Sequence, residues 1–142
     1  MDWTEYRACK QVEPFPRGFR MIAGREERRS FDASRLEDRA VEFVCLQADG
    51  AQGLPAFHGF PDVPCPGGLQ IRVRFPSCWD GRLDSDDHRG HMTYPTMIDN
   101  GPCPGSHPRR LPFMLYETTW DVDGLDTSWM PVGEREFVLS QG

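Results

Sequence analysis

The chain has 142 residues, a formal net charge of −6 and a sequence pI near 5.1, about right for one ordinary domain. The acidic balance gives no general attraction to phosphate backbones and argues against nucleic acid as a partner. Thirteen prolines and 14 glycines argue against a helical bundle, and no apolar run is long enough to span a membrane.

The opening up to Arg17 is polar, is broken by Pro14 and Pro16, and lacks the basic start and apolar stretch of a leader peptide. Gly18 to Gly24 reads as a short strand ended by glycine. From Arg25 to Ala40 dense mixed charge marks a solvated face, with Asp32 or Ser34 expected to cap a short helix over Arg35 to Ala40. Val41 to Gln47 carries apolar residues on both faces and predicts a buried strand. Ala48 to Gly68 is loop, and Leu69 to Phe75 gives the cleanest strand signal. There Leu69, Ile71, Val73 and Phe75 alternate with Gln70, Arg72 and Arg74. Pro76 to Leu111 is long and aperiodic, which in a compact domain usually means a functional loop. Phe113 to Val122 predicts a further strand with Trp120 on an apolar face, and Glu136 to Ser140 begins another.

The long loop concentrates the chemistry. It holds Cys78-Trp79-Asp80-Gly81, then Asp84, Asp86, Asp87, His88, His91 and Tyr94, and three of the four histidines fall between positions 88 and 107. His88 and His91 are close enough in sequence for joint metal ligation, or for one to act as acid and the other as base. Asp80 and Asp84 are candidates to orient an imidazole through its second nitrogen. Spacing rejects a calcium-binding EF-hand loop, because Asp84, Asp86 and His88 are not followed by the required glycine and glutamate. Trp79, Tyr94, Trp120 and Trp129 are flat faces on which a pyranose can stack, or else core residues. His107 and the Arg109-Arg110 pair supply a further imidazole and a clamp for a carboxylate. Arg110 reads equally as a structural partner of Glu117 or Asp121, and Glu117 as a cleft carboxylate or an ion-paired strut. The five cysteines contain no Cys-x-x-Cys, which excludes a zinc ribbon or thioredoxin motif. They are either reduced core residues or four disulfide partners with one left over.

Several segments in order resemble one known family. They are Pro14 to Gly24, Phe43-Val44-Cys45, Cys65-Pro66-Gly67-Gly68-Leu69, and Phe75-Pro76-Ser77-Cys78-Trp79-Asp80-Gly81. Leu83-Asp84-Ser85, His88, His91, Tyr94-Pro95, Cys103-Pro104, His107-Pro108 and Glu117 before Trp120 follow. Together they resemble the fungal secreted DUF1996 family, a domain of unknown function. The resemblance implies a secreted, extracellular protein and a single domain over residues 1–142. It also implies that this domain is incomplete, lacking an upstream Gly-His-x-His motif and a downstream His-Gly-Asp-Phe motif. It turns the cysteine alternatives toward disulfides among Cys45, Cys65, Cys78 and Cys103, with Cys78–Cys103 and Cys45–Cys65 the favoured pairs.

The expected fold is mainly β, a loop-rich sandwich-like domain with at most one or two short helices. The leading functional expectation is a carbohydrate-active, polysaccharide-degrading domain acting on a polysaccharide or cell-wall glycan, with the reaction itself left open. In it His88, His91, Asp80, Asp84 and Glu117 form the catalytic set, and Trp79, Tyr94, His107 and Arg110 bind substrate. His88 and His91 are also the expected ligands of a divalent metal. The alternative is a non-catalytic wall-binding or structural module. Because His88 and His91 lie outside the alternating strands, truncating both is expected to cost no more than about 0.5 kcal/mol of stability.

Overall fold

The computed structural model describes residues 12–28, 30–122 and 124. Cys9, Trp129 and the expected strand at Glu136 to Ser140 lie outside the described residues. The described residues are mainly β, as expected, with one single-turn helix α1 (Leu36–Arg39). Among them are six strands, β1 (Val41–Cys45), β2 (Leu69–Arg74), β3 (Cys78–Trp79), β4 (Met92–Thr93), β5 (Arg109–Arg110) and β6 (Leu115–Trp120). They form two three-stranded sheets, ordered β1-β2-β6 and β4-β3-β5. The described residues divide into two compact units, one of 12–23 and 74–114 and the other of 24–73, 115–122 and 124.

In the second unit β1 and β2 pair antiparallel with Val41 opposite Val73, Phe43 opposite Ile71 and Cys45 opposite Leu69. Strict alternation in β2 therefore sends Leu69, Ile71 and Val73 inward while Gln70, Arg72 and Arg74 stay half-buried. Phe43, Val44, Leu69 and Val73 are each at most 2 % exposed, and each contributes roughly 1.5–3 kcal/mol by leaving water. The Cys45–Cys65 disulfide ties the end of β1 to the loop before β2. That loop needs Gly67, because a Cβ there would stand 1.8 Å from the Gln47 carbonyl oxygen. The short helix starts without a side-chain cap. Asp32, one expected cap, instead accepts bonds from the Ser34 amide and hydroxyl. Asp38, buried in α1, accepts from the Asp32 amide and faces Arg28.

In the first unit Trp79, Met92 and Leu111 form the buried core, with Phe19 and Met21 packed against it. The short central strand β3 pairs with β4 on one side and β5 on the other, so Trp79 lies opposite both Met92 and Arg109. The Cys78–Cys103 disulfide closes the long loop between them, with a Cα–Cα distance of 5.5 Å.

Two local expectations need correction. Gly18 to Gly24 is not a ladder strand but an extended segment fastened to the long loop, through Arg20 N–H to the Leu83 carbonyl and Ile22 N–H to the His88 carbonyl. Trp120 is not a core residue, since it is 59 % exposed. Alternation in β6 does not translate into burial, since among the described residues this strand stands at the rim of its sheet with β2 as its neighbour.

Candidate functional site

Three aspartates, Asp80, Asp84 and Asp87, organise the loop between β3 and β4 through their carboxylates. Asp80 accepts from the Arg82 amide and guanidinium at 2.9 and 2.8 Å. Asp87 accepts from the Gly90 and Arg89 amides at 2.8 and 3.0 Å, and the Ser85 hydroxyl lies 2.8 Å from it. Those donors, the Gly90 amide foremost, hold the Asp87 carboxyl far below the usual carboxylate range. Asp84 takes the remaining role. Its Oδ1 lies 2.6 Å from His88 Nδ1, and this bond to His88 is the main reason its own carboxyl is held below the ordinary value.

His88 is the one residue other than glycine, among those described, with a positive φ, at 54°. The left-handed region costs a branched or bulky side chain free energy, and such residues cluster where surrounding structure imposes them. The imposing bonds are visible: the His88 amide donates to the Ser85 carbonyl, and its carbonyl accepts from the Ile22 amide. The side chain is 42 % exposed. With Nδ1–H donated to Asp84, the neutral ring carries its lone pair on Nε2. His88 also lines an open cleft of about 560 Å³, floored by Phe15, Phe19, Met21, Ile22, Phe75 and Met114, with Arg20 beside them.

His91 is placed quite differently. It is 0 % exposed, its Nε2 lies 2.6 Å from the Arg20 carbonyl and its Nδ1 2.9 Å from Ser85 Oγ. A carbonyl only accepts, so Nε2 donates its N–H there, while Nδ1 lies against the Ser85 oxygen, whose hydroxyl hydrogen goes to Asp87. Both nitrogens are thus committed, and Phe19 packs on the ring edge-on at 5.3 Å between centroids. The two histidines do not converge as a ligand pair, and among the described residues no group of three or more His, Cys, Asp or Glu is placed to hold a metal ion. The residues present do not fit the divalent metal expected from the His88/His91 spacing.

Two of the expected sugar platforms, Trp79 and Tyr94, are enclosed. Trp79 is 4 % exposed, capped by the Arg109 guanidinium 4.1 Å above its ring and met edge-on by Phe19, while Arg109 itself is held by Glu13. Tyr94 is buried and its hydroxyl donates to the Arg74 carbonyl. Arg110 bonds the Ser77 hydroxyl and the Gly101 carbonyl. His107 bonds the Gly90 carbonyl and the Ser106 hydroxyl. Glu117 belongs to the other unit, where it pairs with Arg72 at 2.8 Å. Of the expected site residues the structure joins only Asp84 and His88 at an open surface. The partners that sequence reading missed are Phe15, Phe19 and Arg20, which lie some seventy positions upstream in a segment with no chemical motif of its own.

The acid response of this loop follows from its carboxylates. Asp84 and Asp87 both titrate below their ordinary value when folded. They therefore contribute stability that is complete above about pH 4 and is lost as pH falls through the folded values. Both are solvent-facing, which keeps the contribution modest. Near-ultraviolet circular dichroism of the packed Trp79 is expected to hold steady down to about pH 4 and to weaken below it. Asp87→Asn should remove much of that acid dependence, and an unchanged acid profile in this variant would contradict the assignment.

The fold and site define a mainly β, disulfide-tied domain built around a histidine-bearing loop. The family described as DUF1996, a domain of unknown function, matches residues 3–142, and the chain belongs to that family. No curated protein and no solved structure matches it.

Proposed function

We propose that this is an extracellular, carbohydrate-active fungal domain whose chemistry is run by the Asp84–His88 pair as acid and base. The observation that carries the reading is His88 itself: strained, solvent-facing, fixed in tautomer by a carboxylate, and set at a cleft. Solvent access, a fixed tautomer and a place at a cleft are what a general base needs. Asp84 orients the ring through Nδ1, and Nε2 exchanges the proton with water or substrate. Phe15, 40 % exposed and adjoining Phe19 at 5.6 Å, offers the aromatic face for a pyranose in place of the enclosed Trp79. Two disulfides fit an oxidising compartment.

One observation favours the non-catalytic, wall-binding alternative. Tyr116 and Trp120, 49 % and 59 % exposed, occupy positions of the same parity in β6 and so share a face of that strand.

The test is product release from fungal and plant polysaccharides with their acyl substituents intact, following both sugars and acids. Asparagine tolerates the left-handed backbone at position 88, so His88→Asn is the cleanest probe. It should lower turnover by about 10²–10⁴-fold, the usual worth of a general base, with its melting temperature held close to that of the parent. Asp84→Asn should also slow turnover, through a misdirected tautomer. Release that survives in His88→Asn removes the acid/base reading, and binding lost only on replacing Tyr116 or Trp120 would favour the alternative.

A further inference from the structure

The dyad opens onto a floor that does not suit a bare glycan. Phe15, Phe19, Met21, Ile22, Phe75 and Met114 supply apolar surface, and the only polar side chains in the lining are Arg20 and His88. A pyranose set into this floor would leave hydroxyls without partners, at about 1–3 kcal/mol for each one buried. An apolar body loses nothing there, and the cleft's 560 Å³ is in the range of small-molecule sites. The polar corner is equally selective. Arg20 uses its backbone amide and carbonyl within the fold, yet its exposed guanidinium makes no hydrogen bond or salt bridge among the described residues. Its amide bonds the carbonyl of Leu83, next to Asp84, and it lines the same cleft as His88, so it stands near the dyad. A guanidinium with free donors is matched to the paired oxygens of a carboxyl function.

We propose that the group held in this cleft is an apolar acyl chain or aryl acid in ester linkage to a sugar, so that the dyad hydrolyses acyl esters of a glycan. This rests on the acid/base reading of Asp84 and His88. The acyl body occupies the apolar floor, the carbonyl faces Arg20, and the sugar stays toward solvent beside Phe15. His88 Nε2 takes a proton from water as the water oxygen adds to the carbonyl carbon, and Arg20 balances the negative charge that develops on the carbonyl oxygen. The carbon–oxygen bond to the sugar then breaks, and the departing sugar oxygen receives the proton from His88. Ester and water become acid and alcohol, with no other reactant.

Binding and turnover separate this inference from the reading beneath it. Cinnamate is expected to bind the intact chain at least ten-fold more tightly than either cinnamyl alcohol, which lacks the carboxylate, or glucuronate, which lacks the apolar body. Arg20→Gln should erase the preference for cinnamate over the alcohol with little change in melting temperature, since the guanidinium makes no hydrogen bond or salt bridge among the described residues. A cinnamoyl ester of methyl xyloside should be hydrolysed by the parent. His88→Asn should cleave it at least 100-fold more slowly while still binding cinnamate. Equal binding of all three probes, or tighter binding of glucuronate, overturns the acyl site, and continued His88-dependent release of sugars from glycans would then leave the acid/base reading standing. Selective cinnamate binding without ester cleavage overturns the hydrolytic assignment.

Discussion

Replacing His91 by alanine is expected to destabilise the chain by about 3 kcal/mol and lower its melting temperature by roughly 10 °C. The imidazole is wholly buried, so its removal leaves a cavity in a packed interior. It also strands the Arg20 carbonyl, which the ring bonds across 71 positions of sequence, and removes the contact with Ser85 Oγ six positions away. Each lost bond is worth about 1 kcal/mol, and more where the remaining partner stays buried. The contact with Phe19 goes too, and Phe19 packs on the Trp79 core. Thermal unfolding followed by circular dichroism checks the prediction. A shift of under about 2 °C would mean that the loop and the segment carrying Arg20 are held by other bonds. This expectation reverses the one drawn from sequence, in which His88 and His91 together were nearly free of structural cost. Only His88 retains that property.

Removing the Cys78–Cys103 disulfide should have an effect of similar size. The bond closes a loop of 25 positions, and the chain-entropy estimate for such a loop is about 3.5 kcal/mol. Within that loop lie Asp84, His88, His91 and the short strand β4, whose ladder with β3 is only two residues long. Two-residue strands supply few ladder bonds, so the covalent closure carries a larger share of the loop's order than it would in a broad sheet. The Cys78→Ala/Cys103→Ala variant is therefore expected to melt roughly 10 °C lower and to lose the His88-dependent activity in proportion to the loosened fraction. The Cys45–Cys65 bond closes 20 positions next to an already buried β1–β2 pair. Its loss should lower stability while leaving the activity of the remaining folded molecules intact. Equal loss of activity in both pairs of variants, at temperatures where both remain folded, would show that the long loop does not depend on its own disulfide.

Both disulfides join the pairs expected on the family resemblance. The β-rich class and the strands β1 and β2 were legible for a simpler reason. Side chains along a strand alternate between faces, so Leu69, Ile71 and Val73 announce their burial in the order of the letters alone. The long aperiodic stretch was legible as the place where chemistry gathers, and within it Asp84 and His88, four positions apart, do meet.

What the letters left open was decided by contacts between distant segments. Nothing local distinguishes His88 from His91, three positions on. One ring is turned outward by a left-handed backbone and the other is drawn into the interior by the Arg20 carbonyl. Trp79 reads as a sugar platform until Arg109, held by Glu13, is set over its face. The strands β3, β4 and β5 are too short for any period to show. Phe15, Phe19 and Arg20 join the site only because the Gly18–Gly24 segment is fastened to the long loop by backbone bonds to Leu83 and His88. Sequence determines burial where burial repeats with a period. Non-local hydrogen bonds and packing determine which of two equivalent side chains is left facing solvent.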